Sequence, residues 1–251
     1  AVASLALSPL DPEKLAYGTD FLVRCSDDGG ASWRPAYTAR RTDGKSSTIG
    51  LETTCVKEIV ADPQRRGRFL CAFLDIGAWT TSDNGETFEA KFVNDHHSCF
   101  SIAQSPAEPD LVWQLAGSHG RVADASRRVL VSRDGCRSWQ PVLKDPPEWM
   151  HPKCRDLVCL TDRAPYRLAC LTVRGVATSA DGGETWSLLS TNALPVAARV
   201  SRLKRLGETI YAGTAANDRA GGAIWKSLDR GVTWTKVEGL PASAGGVSDI
   251  A

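Results

Sequence analysis

Short apolar runs recur along the chain, each closed by Pro, Gly, Asn or Asp. One set lies near Val2–Ser8, Cys55–Ala61, Cys99–Gln104, Asp156–Thr161 and Ala198–Leu203. A second set follows each of these, near Leu15–Gly18, Phe69–Leu74, Leu111–Ala116, Arg167–Val173 and Thr209–Thr214. Apolar runs this short, bounded by turn residues, are strand signals. The first four members of the first set run into proline-containing turns such as Ser8-Pro9-Leu10-Asp11-Pro12. No segment carries a helical period, so the pattern predicts an all-β protein.

A second periodicity is superimposed on the first. Ser179-Ala180-Asp181-Gly182-Gly183-Glu184-Thr185-Trp186 recurs as Ser227-Leu228-Asp229-Arg230-Gly231-Val232-Thr233-Trp234 and as Ser26-Asp27-Asp28-Gly29-Gly30-Ala31-Ser32-Trp33. Looser copies are Thr81–Phe88 and Ser132–Trp139, where Cys136 holds the glycine position. The five aspartates, Asp28, Asp83, Asp134, Asp181 and Asp229, are spaced by 55, 51, 47 and 48 residues. That spacing suits one four-stranded unit. The aspartate accepts amide hydrogens of its own turn, the glycine supplies a positive φ, and the aromatic ring packs between sheets. These residues are therefore expected to be structural, with Trp33, Trp139, Trp186 and Trp234 buried.

The motif resembles the Asp box of sialidase-like and related β-propellers. The resemblance implies a single propeller domain over 1–251, built from four-stranded antiparallel blades with Asp-box turns. Five blades are expected at about 1–45, 46–95, 96–150, 151–195 and 196–246, with a sixth beginning at 247–251. Both ends of the chain then carry a first strand, and two first strands do not complete one blade. The chain is expected to be part of a longer protein, or to be completed by a second propeller or partner chain.

Charge removes some function classes. Thirty Lys and Arg stand against 29 Asp and Glu, a formal net charge of +1. That balance gives no electrostatic footprint for nucleic acid or an anionic membrane. No apolar run is long enough to span a bilayer as a helix. The first residue is Ala1 and not Met, which is expected if a signal peptide has been removed or the sequence starts internally. Eight cysteines point to an oxidising compartment and a secreted protein. Cys159 and Cys170 flank the 161–167 turn almost symmetrically, so a disulfide is expected between them. Cys55, Cys99 and Cys154 each open a first strand, with His96, His97 and His151 nearby. Thiolate and imidazole suit zinc or copper. No tight Cys-x-x-Cys pair occurs, however, so disulfides or isolated thiols are expected instead of a metal. No cofactor motif is present: Gly-x-Gly-x-x-Gly and phosphate-loop patterns are missing, as is a Gly-x-Ser-x-Gly elbow.

Candidate chemistry emerges from the repeat register. Asp20 precedes Asp28 by eight residues, and Asp75 precedes Asp83 by eight. The same offset gives Ser126, Val173 and Gly221 in the other repeats. Only two neighbouring blades thus carry a carboxylate in the turn between second and third strands. A pair of carboxylates on one rim is the requirement of inverting glycoside hydrolysis.

Residues Pro9–Thr19, Ile49–Val56 and Leu74-Asp75-Ile76-Gly77-Ala78-Trp79 resemble the second propeller of family 74 glycoside hydrolases, the xyloglucanases. The likeness is strongest over about residues 5–90. It implies two tandem propellers with a polysaccharide held between them. It maps a catalytic aspartate onto Asp75, with the partner aspartate on a first propeller that this chain lacks. Asp20 is the candidate within the chain, and Glu52 the candidate that supports the site. Leu74 and Ala78 stand where the family has glycines. Trp79, and Trp149 in the Pro146–Met150 loop, are candidates for stacking on a sugar. The leading expectation is a secreted β-glucan or xyloglucan hydrolase acting through paired aspartates. The alternative is a non-catalytic propeller that binds a protein or glycan.

Overall fold

The computed structural model describes residues 4–8, 11–18, 23–35, 38–48, 55–91, 98–117, 128–142, 155–172, 174–189, 194, 200–215, 222–239, 247 and 250. Among these there are only strands and turns, with no helix. Sheet one is β1 (Ser4–Leu7), β2 (Leu15–Gly18), β3 (Val23–Ser26) and β4 (Arg34–Pro35). A hairpin, β5 (Thr38–Arg40) and β6 (Ser46–Thr48), follows it. Sheet two is β7 (Val56–Ala61), β8 (Phe69–Phe73), β9 (Gly77–Thr81) and β10 (Glu89–Ala90). Sheet three is β11 (Ser98–Gln104), β12 (Val112–Gly117), β13 (Arg128–Ser132) and β14 (Gln140–Pro141). Sheet four is β15 (Arg155–Cys159), β16 (Leu168–Thr172), β17 (Gly175–Ser179) and β18 (Ser187–Leu188). Sheet five is β19 (Val200–Leu206), β20 (Thr209–Thr214), β21 (Ile224–Ser227) and β22 (Thr235–Lys236).

Every sheet is an antiparallel meander, the arrangement expected of a propeller blade. The β5–β6 hairpin is an addition that the apolar pattern did not announce. It clips onto the second repeat turn, where Phe88 and Ser46 exchange backbone hydrogen bonds of 2.7 and 3.0 Å.

The core lies between consecutive sheets. Leu70, Ala72 and Ala78 meet Ile102 and Val112 between sheets two and three. Trp113, Leu115 and Val129 meet Leu157, Leu168 and Ala177 between three and four. Leu171 and Val176 meet Leu203, Ile210 and Ala212 between four and five. Burying one such Leu contributes about 1.5–3 kcal/mol. The second strands of sheets three and four are covered on both faces: every residue of β12 and of β16 is buried. That double burial explains why the second set of runs reads as continuously apolar and not alternating.

Each repeat turn is closed by its own side chains. In the fourth, Ser179 donates to Asp181 at 2.7 Å and accepts from the Gly183 amide at 2.8 Å. Asp181 then accepts from the Thr185 amide at 2.9 Å and from the Thr185 hydroxyl. The other four turns repeat this pattern around Asp28, Asp83, Asp134 and Asp229. Position five of the turn needs a positive φ, which is +104° at Gly183 and +76° at Cys136. The tryptophans depart from expectation. Only Trp234 is buried, at 9% exposure, while Trp33, Trp139 and Trp186 are half-buried. They follow the turn near the sheet's outer edge, where the fourth strand is exposed. Trp33, Trp186 and Trp234 donate their indole N–H to their own turn, at the carbonyls of Gly30, Gly183 and Gly231. The Trp139 indole N–H, after Cys136, has no acceptor among the described residues.

These turns make the fold acid-sensitive. The Ser32 hydroxyl and amide, with the Ser26 hydroxyl, hold Asp28 down at about 2 from 3.8. Asp181 and Asp229 are also held at about 2; burial opposes the shift, but hydroxyl and amide donors outweigh it. A carboxyl depressed by folding stabilises the fold above its unfolded value and loses that contribution as pH falls through its folded value. Urea unfolding midpoints should therefore drop between about pH 4 and pH 2. Replacing Asp28, Asp181 and Asp229 together by Asn should flatten that drop. An unchanged slope in the triple variant would refute the assignment.

Innermost strands are joined by a separate set of hydrogen bonds. Each of β7, β11, β15 and β19 has a register irregularity near its start. Beside it a polar side chain crosses to the next sheet. The Ile102 amide donates to Glu58 at 3.0 Å, the Leu157 amide to Ser101 at 2.8 Å, and the Leu203 amide to Asp156 at 3.0 Å. At the far end the Ser201 hydroxyl donates to the Val247 carbonyl at 3.0 Å, and the Val247 amide to Thr214 at 3.0 Å. Val247 thus lies against sheet five where a further first strand is expected.

The disulfide expectation is corrected. Cys159 is a free thiol. Its cross-strand partner is Leu168, so Cys170 sits two residues along the diagonal. Diagonal neighbours in a sheet are about 7–8 Å apart, beyond the usual reach of a disulfide. Cys25, Cys55, Cys71, Cys99 and Cys136 are also free. Burial pushes the Cys159 thiol up to about 11 and Cys136 up to about 12, so neither is a thiolate at neutral pH. Alkylation of the native protein followed by peptide mass spectrometry should mark exposed Cys55 first and half-buried Cys25 next. Cys71, Cys99, Cys136 and Cys159 should react only after unfolding. Native labelling of Cys159 at the rate of Cys55 would contradict the packing.

Candidate functional site

The Asp75 turn joins β8 to β9, and the second repeat turn joins β9 to β10. In an antiparallel meander these connections lie at opposite ends of the sheet. Asp75 therefore stands at the end away from Asp83. Its turn is fixed at several points. Gly77 has a φ of +75°, which a side-chain-bearing residue adopts only with strain. The Leu74 amide donates to the Cys55 carbonyl at 3.0 Å, and the Cys55 amide donates to Asp75 Oδ1 at 3.4 Å. The Trp79 indole donates to the Ile76 carbonyl at 2.8 Å. Leu74 points inward against the core between sheets three and four, while Asp75 is exposed. The strand start at Cys55 thus holds an accessible carboxylate in place, a tie that spacing alone did not reveal.

Trp79 is half-buried beside this turn. The structure brings Asp75 and Trp79 together. Asp20, Glu52 and Trp149 lie outside the described residues, as do His96, His97, His151 and Cys154.

A second feature was missed in the sequence. A cavity of about 710 Å³ lies among the innermost strands β7, β11, β15 and β19. Glu58, Lys204, Asp162 and Arg205 stand in its wall with Ile102, Leu157 and Val158. Glu58 accepts from the Ser101 hydroxyl at 2.6 Å and from the Ile102 amide, and faces the Lys204 ammonium at 3.9 Å. Burial pushes its carboxyl upward, against these hydrogen bonds and the lysine. The available signal was a charged residue inside the Val56–Ala61 run. Its role is accounted for by the bond to sheet three.

Neither a family model nor a curated protein matches this sequence. Solved structures do. An ancestral GH74 enzyme superposes with a TM-score of 0.54 at 19% identity, over 97% of this chain and 32% of that one. The GH74 xyloglucanase from Xanthomonas campestris gives 0.49 at 14% identity, over 94% of this chain and 38% of that one. The GH74 enzyme of Niastella koreensis gives 0.48 at 15%, with the same coverages. The first of these likenesses defines the fold: an all-β protein with a family 74-like β-propeller architecture. The chain spans about a third of the length of the enzymes it matches.

Proposed function

We propose that this chain is part of an exported carbohydrate-active protein, similar to a xyloglucanase, that cleaves a β-glucan through paired aspartates. The observation that carries the reading is Asp75: an exposed carboxylate on a turn fixed by Gly77, Cys55 and Trp79, at the end of the sheet free of repeat turns. The motif around it resembles the Asp-box propellers of family 74. The fold likeness to an ancestral enzyme of that family supports the same reading. Inverting hydrolysis needs an acid and a base on opposite sides of the scissile bond, about 6.5–9.5 Å apart. Asp75 takes one role. Asp20 or an aspartate of a second propeller takes the other. Glu52, Trp79 and Trp149 hold the sugar chain.

The test is hydrolysis of xyloglucan and of a mixed-linkage β-glucan, followed by reducing-end release. It is run on this chain alone and on the chain joined to its neighbouring propeller. Binding without cleavage in both forms would replace the enzyme with a glycan-binding module.

A further inference from the structure

The cavity among β7, β11, β15 and β19 opens at one end of the sheets. Its mouth is formed by the turns that follow these first strands, with Pro63, Pro106, Asp162 and Gly207 in the wall. The repeat turns lie against the same set of turns. The amides of Asn84, Gly135 and Gly182 donate to the carbonyls of Gly67, Asp110 and Tyr166 at 2.9, 3.0 and 2.8 Å. The mouth is therefore at the repeat-turn end, away from Asp75. A volume of about 710 Å³ lies within the range of about 300–1,000 Å³ usual for small-molecule sites.

Glu58 and Lys204 stand deeper, on the strands themselves. The bond to sheet three uses only Oε2 of Glu58, which accepts from both Ser101 and Ile102. Oε1 accepts no hydrogen bond among the described residues. It faces Lys204 Nζ at 3.9 Å, too far for one. That ammonium has no other partner among the described residues, although it carries three donors. Both side chains are mostly covered, at 20% exposure for Glu58 and 32% for Lys204. An acceptor and a donor thus stand side by side in the wall, each unspent. Arg205, by contrast, is already engaged by the carbonyls of Gly207 and Cys159 and the carboxylates of Asp162 and Glu208.

Charge balance in the wall narrows the ligand. Glu58, Asp162 and Glu208 stand against Lys204, Arg163 and Arg205, so no net field favours an anion or a cation. A hydroxyl group suits the Glu58–Lys204 pair, because it donates to the carboxylate oxygen and accepts from the ammonium at once. It suits a protonated Glu58 equally, which matters because burial pushes that carboxyl upward. At the mouth Asp162 and Glu208 repeat the acceptors. Exposed Arg163, which has no hydrogen bond or ion pair among the described residues, repeats the donors. Along the strands between these two levels, Val60, Ala103 and Val158 supply apolar wall.

We propose that this cavity binds a neutral mono- or disaccharide, with one hydroxyl bridging Glu58 Oε1 and Lys204 Nζ and others meeting Arg163 and Asp162 at the mouth. The sugar is held here and not cut, since Asp75 lies at the other end of the sheets. The choice of a sugar among polyhydroxyl compounds rests on the carbohydrate reading above; the site itself does not depend on catalysis at Asp75.

The experiment is calorimetric titration of the folded chain with cellobiose. The wild-type chain should bind it with a dissociation constant in the millimolar range or tighter. Lys204→Met keeps the length of the side chain and removes its donors, and should weaken binding by about tenfold or more. Ala107→Trp, at a half-buried position in the cavity wall, should abolish it. Asp75→Asn should leave the constant unchanged. Urea midpoints report on folding; if Lys204→Met is destabilised, Ala107→Trp decides. No binding by the wild-type chain, or binding that both cavity variants leave unchanged, would overturn the site. Binding lost in Asp75→Asn and kept in Lys204→Met would assign the sugar to the other end and equally overturn it. Displacement of cellobiose by leucine would make the ligand a zwitterion and overturn the sugar. Binding that follows the cavity variants, with no β-glucan hydrolysis by the chain in either form, would uphold the site while the hydrolase reading fails.

Discussion

Replacing Asp75 by Asn should lower β-glucan hydrolysis by about 10²–10⁴-fold, the usual contribution of a general acid or base. The substitution keeps the shape of the side chain and removes its charge. Asp75 is exposed, and its turn is held by backbone bonds, by Gly77 and by the Trp79 indole. The unfolding midpoint should therefore hardly move. Loss of rate without loss of stability separates a chemical role from a structural one. Asp20→Asn then locates the partner. A comparable loss would place both carboxylates in this chain; an unchanged rate would place the partner in another propeller. If Asp75→Asn retains full activity, the catalytic assignment is wrong.

Replacing Asp62 by Ala should cost about 3–5 kcal/mol, the usual consequence of leaving a buried cation without its partner. Asp62 follows β7, and its side chain is fully buried. Its carboxylate accepts from Arg68 Nη1 at 2.5 Å, from Gln104 Nε2 at 3.0 Å, and from the amides of Gln64 and Arg65. Arg68 continues to the carbonyls of Pro109 and Gly135, so one carboxylate organises the junction of sheets two and three. Asp162, after β15, offers an internal comparison. It accepts from Arg205 at 2.6 Å but is 37% exposed, and Glu208 also reaches that arginine. Asp162→Ala should cost only about 1 kcal/mol, because Asp162 itself is partly solvated and Arg205 keeps Glu208 and the carbonyls of Gly207 and Cys159. Urea titration of both variants checks the contrast. Equal costs would mean that burial at Asp62 is not what decides its importance.

The repeat turns were legible because all their bonds are local. Ser179, Asp181, Gly183 and Thr185 satisfy one another within seven residues, so the geometry leaves a readable spacing. Second strands were legible for a different reason: cover on both faces forces an unbroken apolar run, as in Leu168–Thr172. What the sequence concealed involves distant partners. Glu58 sits in a strand core because its acceptor oxygen serves an amide 44 residues away. Nothing near Glu58 encodes that. The Cys159–Cys170 expectation failed over register, since symmetric spacing about a turn does not tell a direct pair from a diagonal one. Tryptophan burial was overestimated because the motif fixes the indole N–H on its own turn, while the ring's cover depends on how far the neighbouring sheet extends. At the candidate site, the placement of Asp75 on the turn between second and third strands was legible from its offset to Asp83, but its tie to Cys55 was not, because that bond spans 20 residues.

The two ends of each sheet carry different obligations. At one end, five turns are committed to holding themselves shut, and their side chains have no freedom to take up other chemistry. At the other end of sheet two, the link between second and third strands is held by the Cys55 backbone and the Trp79 indole, and its carboxylate stays exposed. The residue eight places before the turn aspartate differs from repeat to repeat, Asp75 in the second and Val173 in the fourth. Changes there leave the closing bonds intact. The scaffold can thus be refitted for a new ligand one loop at a time, with the architecture insulated from each change.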